Sequence, residues 1–191
     1  MNENLKMIGM LTLFCGLCGF LLAGARTLTR ECIEDQFLRY VEGPAIKKVL
    51  EETTNDPVSD RMQIQDSTGG ATLFLGKRGD SLVSIACGSK AAGFGGDICI
   101  IVGYNIAMDT ITGMAVTSCS ETPGIGLRIT EEAFTGLFKG KSVNDIMKIR
   151  ADGGVIDGIS GATVSSRGAC AAVISNLLRY QERKQRVLKG K

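Results

Sequence analysis

The sequence predicts an α+β protein, in which one N-terminal transmembrane helix precedes a single domain rich in antiparallel sheet that ends in a C-terminal helix. Three observations predict this fold class. Residues 7–25 carry no charge and are long enough to cross a bilayer core. Short apolar segments separated by turn residues fill the middle of the 191-residue chain. Helical spacing of apolar residues returns from Ser165 to about Leu188.

The N-terminal segment favours a single membrane span. Lys6 and Arg26 bound the apolar run, which has no polar stripe of the kind that buried core helices usually show. A buried core helix and a cleaved signal peptide are the alternatives, and Ala-Gly-Ala at 23–25 resembles a signal-peptidase site. The flanking charges do not decide the orientation, because Lys6 on one side is balanced by Arg26 and Arg30 on the other.

A helical stalk is predicted after the span. Apolar residues recur at helical spacing over 29–54, with an interruption at Gly43-Pro44, and Asn55-Asp56-Pro57 is a turn signal. The predicted division is therefore a tip at 1–6, a transmembrane helix at 7–25, a helical stalk or linker at 26–56, and the folded domain with a basic C-terminal tail at 57–191.

The predicted sheet consists of short strands and one strong hairpin. Strand patterns occur at 62–64, 71–75 and 82–86, and a glycine-bounded turn at 76–79 joins the last two. Two apolar runs, 97–104 and 110–117, are joined by a short polar turn and have the form of an antiparallel hairpin. A further helix is predicted at 130–138 before the long C-terminal helix.

Composition narrows the functional classes. A net charge of +2, from 22 Lys+Arg and 20 Asp+Glu, argues against nucleic-acid binding by the chain as a whole. With no His, the chain cannot use a His-based catalytic triad.

The seven cysteines of the chain form no disulfide framework. Cys15 and Cys18 lie inside the apolar run, where helix packing is the favoured interpretation over contact with a partner or metal centre. The basic tail at 179–191 is interpreted as a solvated helix end, with lipid or partner binding as the alternative.

Two glycine-containing segments carry chemical signals. Residues 157–166 place a hydroxyl-rich turn directly before the last helix, where backbone N–H groups and the helix dipole can hold a phosphate. The segment contains no Lys and lacks the spacing of a nucleotide-binding P-loop, so taken alone it favours a simple helix cap. Residues 120–126 form a Pro-Gly-x-Gly turn with a carboxylate and a hydroxyl, and this segment alone is typical of an ordinary turn.

Three segments in order carry a family resemblance: Gly-Phe-Gly-Gly at 93–96, Glu-Thr-Pro-Gly-Ile-Gly at 121–126, and Asp-x-x-Ser-Gly-Ala-Thr at 157–163. Between about residues 81 and 180 the sequence resembles the FMN-binding domain of the G subunit of the Rnf electron-transport complex, which is related to the C subunit of sodium-pumping NADH:quinone reductase. Cys119-Ser120 departs from the basic residue or His expected there, and Ile125 stands in place of a usual Leu.

The resemblance implies FMN attached covalently by a phosphoester to Thr163, which makes the chain a flavoprotein and a phosphoprotein. A separate flavin transferase would make this bond, reading a signature that consists of Asp157, Ser160, Gly161, Ala162 and Thr163. The other implied FMN contacts are Glu121, Thr122, Pro123, Gly124, Ile125, Gly126, Ser160, Gly161 and Ala162. No catalytic residue and no metal ligand is implied.

The function implied by the resemblance is that of an electron-carrier subunit in a membrane-bound, ion-translocating ferredoxin:NAD oxidoreductase, with no catalysis of its own. Its partners would be the other subunits of the complex, the transferase and the membrane. The flavin domain would lie on the extracytoplasmic side of the cell inner membrane. The alternatives are the sodium-pumping reductase subunit, a stand-alone membrane-anchored flavin reductase, and a flavin-free interaction protein.

Overall fold

The computed structural model describes residues 3–50, 53–66 and 69–189. The chain divides into two compact units, Met1–Tyr40 and Val41–Lys191. The first unit is dominated by helix α1, Glu3–Phe37, which buries none of its described residues. The helical stretch Glu3–Val49, of which α1 is the first part, is long and apolar enough to cross a membrane. The long apolar N-terminal helix predicted from the sequence is confirmed.

The segment after α1 stays helical where an interruption was predicted. A π-helical turn, Leu38–Glu42, leads into helix α2, Gly43–Val49. Pro44 lies in the first turn of α2, where its missing N–H would have had no helical acceptor, so the proline starts a helix and does not break one. The predicted stalk, 26–56, therefore contains a helix that belongs to the second unit.

Helix α2 packs against the sheet through a close backbone contact. The hydroxyl of Thr112 donates a 2.6 Å hydrogen bond to the carbonyl of Val49. A Cβ atom at Gly103 would lie 2.5 Å from the same carbonyl oxygen, so glycine is required for this approach. Ile46, Val49 and Leu50 are buried in consequence.

The second unit contains a five-stranded antiparallel sheet in which each strand pairs with its neighbours in sequence. The strands are β1 Arg61–Asp66, β2 Gly69–Arg78, β3 Ser81–Ala92, β4 Asp97–Asn105 and β5 Thr110–Ser118. The predicted β4–β5 hairpin is confirmed to within one residue at each end. Strand β3 is longer than the predicted 82–86, because its pairing with β4 continues to Ala92 opposite Asp97. Gly79 has φ +60° and forms the tight β2–β3 turn with Asp80.

The main hydrophobic core lies between the sheet and the C-terminal helix α4, Thr163–Lys189. This helix contacts β1, β3 and β4, and α2 packs against β4 and β5. The predicted helix at 130–138 is divided into three short pieces: a 3-10 turn Gly126–Thr130, α3 Glu132–Thr135 and a second 3-10 turn Gly136–Phe138. The rings of Phe134 and Phe138 pack edge to face at 5.6 Å between centroids and hold these pieces against the core.

The basic end of α4 is only partly solvated, which corrects its interpretation as a solvated helix end in part: Arg186 and Lys189 are exposed, whereas Arg183 is buried. Arg183 is 2% exposed and donates a 3.0 Å hydrogen bond to the side-chain oxygen of Asn176. Lys184 lies 2.6 Å from Asp109, and this ammonium, together with the hydroxyl of Tyr180, lowers the pKa of the Asp109 carboxyl. These cations are bound by the domain because α4 crosses β1 and the β4–β5 turn before it ends.

Candidate functional site

One cavity of about 410 Å³ brings together the three segments that the sequence singled out. Its volume falls within the range of small-molecule sites, about 300–1,000 Å³. The lining residues are Phe94 from the first segment, Glu121, Thr122, Ile125 and Gly126 from the second, and Gly161, Ala162, Thr163, Val164 and Ser165 from the third and the start of α4.

The first wall is the glycine loop, residues 93–96, which connects β3 to β4. The N–H of Gly93 donates a 2.7 Å hydrogen bond to the carbonyl of Gly96, whose φ of +153° few other residues adopt. A Cβ atom at Gly95 would collide with the backbone carbonyl of Ser120. The glycines therefore let this loop lie directly against the chain that leaves β5.

The second wall is the turn at 121–126. The carbonyl of Thr122 accepts hydrogen bonds from the N–H groups of Ile125, at 3.2 Å, and Leu127, at 3.1 Å. Gly124 has φ +75° and permits the reversal of direction. The turn exposes half of the Ile125 side chain beside the cavity, and it buries Glu121 to 4% exposure.

The Glu121 carboxylate connects all three segments. One oxygen, Oε1, accepts the backbone N–H of Phe94 at 2.8 Å and that of Gly95 at 3.4 Å. The other, Oε2, accepts the hydroxyl of Ser165 at 2.7 Å. This side chain was predicted to contact FMN, and the structure shows that the protein already satisfies both of its oxygens.

The third wall is the start of α4. Thr163 is the first residue of this helix and is exposed. The hydroxyl of Ser166 donates to the carbonyl of Ala162 at 2.9 Å and accepts the N–H of Ile159 at 3.0 Å, which fixes the loop that enters the helix. The N–H groups of the first helical turn have no acceptor within the helix and are suited to bind an anion.

The loop before Thr163 is anchored by ion pairs. Asp157 is exposed and lies 2.7 Å from Arg150. Arg167 on α4 donates two hydrogen bonds, of 2.7 and 2.8 Å, to Asp152, and these lower the pKa of the Asp152 carboxyl. The segment 157–161, which is exposed except for half-buried Ile159, is thus held at a defined place beside the start of α4.

The structure brings most, but not all, of the predicted site residues into the cavity lining. Pro123, Gly124, Asp157 and Ser160 are close along the chain to lining residues but do not line the cavity themselves. Sequence reasoning missed Phe94, Val164 and Ser165 as lining residues. Phe94 could have been found, because it is a lone aromatic residue inside a run of glycines.

Comparison with known proteins assigns the segments that line the cavity to a family. The family model described as FMN-binding domain matches residues 93–177, a range that contains every lining residue. A protein from Shewanella piezotolerans, named as the G subunit of an ion-translocating oxidoreductase complex, is 31% identical over 207 residues, which cover 98% of this chain and 95% of that relative. This chain belongs to the family of these G subunits.

One further relative and one solved structure are also similar to this chain. A G subunit from Clostridium ljungdahlii, named as part of a proton-translocating ferredoxin:NAD(+) oxidoreductase complex, is 22% identical to this chain. The matched region covers 85% of this chain and 84% of that relative. The C subunit of the Na(+)-translocating NADH-quinone reductase from Parabacteroides distasonis has a similar fold. Its TM-score is 0.63 at 16% identity, over 80% of this chain and 95% of that one. The relatives' names favour a G subunit over the alternative of a C subunit.

The cavity of this G-subunit family member fits the two chemically different ends of FMN. Phe94, Ile125 and Val164 give it exposed apolar surface, which suits an aromatic ring system. The first turn of α4 offers N–H donors and the positive end of the helix dipole, which suit a phosphate. The residues present therefore match the cofactor named by the family model.

Proposed function

We propose that this chain is an electron-carrier subunit that holds FMN covalently on Thr163, within a membrane-bound, ion-translocating complex that exchanges electrons between ferredoxin and NAD. The observation that carries the proposal is the exposed Thr163 hydroxyl, placed by α4 in the lining of a cavity built from three family segments. Bound FMN supplies reversible electron transfer, and the protein supplies its position and electrostatic surroundings.

The attachment step requires Thr163 to be accessible to a flavin transferase. Thr163 and the neighbouring Asp157, Ser160 and Gly161 are exposed, so a second protein can approach the signature from outside. A phosphate esterified to the Thr163 hydroxyl would lie at the N-terminus of α4, where the unpaired N–H groups of the first turn stabilise its negative charge.

The lining is compatible with a carrier, in which the flavin itself takes up and passes on the electrons. Among the described residues around the cavity, Glu121 is the one titratable side chain, and neutral donors of the protein occupy both of its oxygens. General acid–base catalysis needs a side chain that can give or take a proton within reach of a substrate. Electron transfer through a held flavin has no such requirement.

The location proposed for this protein is the cell inner membrane, crossed once by the apolar part of α1 at 7–25. We place the flavin domain on the extracytoplasmic side, with the other subunits of the complex and the flavin transferase as its partners. Labelling of Cys32, which is exposed just beyond the span, with a membrane-impermeant thiol reagent on intact cells tests the sidedness. Protection of Cys32 until the cells are lysed would contradict it.

Intact-mass measurement of the full chain tests the attachment. The chain is co-expressed with a flavin transferase and purified in detergent, beside Thr163→Ala and Thr122→Ala variants. Thr122 is the matched control, because it is a second exposed threonine in the lining of the same cavity. We expect the mass of one FMN less one water to be added to the wild type and Thr122→Ala, and to be absent from Thr163→Ala.

The outcome that refutes the attachment is equally specific. An unmodified wild-type chain, with the transferase shown to act on another substrate, would return Thr163 to the role of a helix-start residue. A modified Thr163→Ala chain would place the bond elsewhere.

A further inference from the structure

We propose that Glu121 is the positioning residue that assembles the cavity, and that its fixed negative charge lowers the reduction potential of a flavin held there. The second part of this proposal rests on the proposed function, whereas the first part concerns the protein alone. The two parts are therefore tested by separate measurements.

The geometry shows why Glu121 acts as an assembly point. Its carboxylate accepts hydrogen bonds from a loop 27 residues earlier in the chain, at Phe94, and from a helix 44 residues later, at Ser165. Neither of these two partners lies in the segment that contains Glu121. A single side chain thus joins the glycine loop, the turn at 121–126 and the first turn of α4.

The surrounding glycines are matched to this carboxylate. A Cβ atom at Gly93 would collide with Oε1 of Glu121. A Cβ atom at Gly126 would lie 2.5 Å from Oε2 and 2.8 Å from the hydroxyl oxygen of Ser165. The two glycines therefore make room for the Glu121 carboxylate.

The charge of Glu121 lies within the cavity wall. Glu121 is 4% exposed, and the three hydrogen-bond donors to its carboxylate, two N–H groups and one hydroxyl, are uncharged. Solvent screens a charge weakly in such a place. Electrons added to a flavin in this cavity would be repelled by the fixed negative charge, so reduction becomes less favourable and the midpoint potential falls.

Hydrogen exchange of the full chain without flavin tests the positioning role. Glu121→Ala removes the acceptor, and we expect the amides of Phe94 and Gly95 to exchange roughly tenfold faster or more, as follows from the loss of a hydrogen bond to a charged group. Glu121→Gln keeps an oxygen acceptor and a group that can pair with Ser165, so its exchange should stay close to that of the wild type. Glu131→Gln, at an exposed acid, is the control.

Potentiometric titration tests the role of the charge. The flavin-loaded wild type, Glu121→Gln and Glu131→Gln chains are reduced stepwise with dithionite, which supplies the electrons, and the flavin absorbance is followed against reference dyes. We expect Glu121→Gln to have a higher midpoint potential than the wild type and Glu131→Gln to match the wild type.

Each outcome decides one part of the proposal. Unchanged exchange at Phe94 and Gly95 in Glu121→Ala would overturn the positioning role. An unchanged or lower potential in Glu121→Gln would overturn the role of the charge. If the wild type binds no flavin, the proposed function fails and the charge role fails with it, but the exchange experiment still decides whether Glu121 assembles the cavity.

Discussion

Gly168 in α4 provides a test of how closely this helix packs on the cavity wall. A Cβ atom at this position would lie 2.6 Å from the carbonyl oxygen of Ala92 and 3.1 Å from the Cα atom of Gly93. Ordinary contact begins at 3.4 Å, so Gly168→Ala must move the helix and the end of β3 apart by about 0.8 Å. The Cδ1 atom of Ile98 would also lie 3.0 Å away, but because the nearest obstructing atom is backbone, side-chain rotation cannot relieve the contact.

Two opposing energies decide the result of Gly168→Ala. Alanine is the better helix former by up to about 1 kcal/mol. Overpacking in a well-packed region costs about 1–3 kcal/mol. Because the contact is with rigid backbone, the overpacking cost of Gly168→Ala lies toward the upper end of that range. We therefore expect the free energy of unfolding to fall by about 1–2 kcal/mol in total. For a unit of this size, each kcal/mol lowers Tm by about 2–4 °C.

The assay is thermal unfolding of the full chain in detergent, followed by circular dichroism, with Gly136→Ala as the matched control. Gly136 has helical φ and ψ, and a Cβ atom there would meet nothing within 4 Å. The same substitution should therefore stabilise the protein at Gly136, by about 0.4–1 kcal/mol. A Gly168→Ala chain as stable as the wild type would refute the close backbone approach of α4 to the glycine loop.

Three further predictions concern the second unit. Because Lys184 lowers the pKa of Asp109, the stability due to this pair is present above the ordinary carboxyl range, about pH 4, and is lost as the pH falls through the lowered pKa. The acid unfolding of Asp109→Asn should accordingly lack this contribution. An acid transition of Asp109→Asn that matches that of the wild type would contradict the role of the pair. Burial raises the pKa of the Cys170 thiol to about 12, so iodoacetamide at pH 8 should label exposed Cys32 and leave Cys170 unmodified until the protein is denatured, as peptide mass spectrometry can show. Removal of residues 181–191 should lower the Tm measurably, because it deletes buried helix as well as surface charge; an unchanged Tm would restore the interpretation as a solvated tail.

Much of the fold could be predicted from the sequence, because its strongest signals are local. The β4–β5 hairpin is predicted almost residue for residue, since its apolar density and polar turn are features of neighbouring residues. The full length of β3 could not be predicted, because its last residues are held by pairing with β4 and carry a weak pattern of their own. The prediction of a helix interruption at Pro44 was wrong, because the sequence alone does not distinguish a proline that breaks a helix from one that lies in its first turn.

The candidate site also has a part that the sequence predicts and a part that only the structure shows. Its segments could be found from glycines and hydroxyl residues at fixed spacing, and the family resemblance linked them. The hydrogen bonds from Phe94 and Ser165 to Glu121 could not be predicted, because they join residues that only the folded chain brings together. Likewise, the burial of Arg183 depends on where α4 crosses the sheet, which helical spacing alone does not reveal.

The order of the sheet has a consequence for how the chain matures on the ribosome. Every strand pairs with its sequence neighbour, so the sheet can grow hairpin by hairpin as the chain emerges. Helix α4 is synthesised after all five strands, yet it forms one wall of the cavity and covers the core. Until α4 has been synthesised, the apolar face of the sheet is uncovered and vulnerable to aggregation, and the cavity lacks one of its walls. Under the proposed function, attachment of FMN to Thr163 would therefore follow the synthesis of α4.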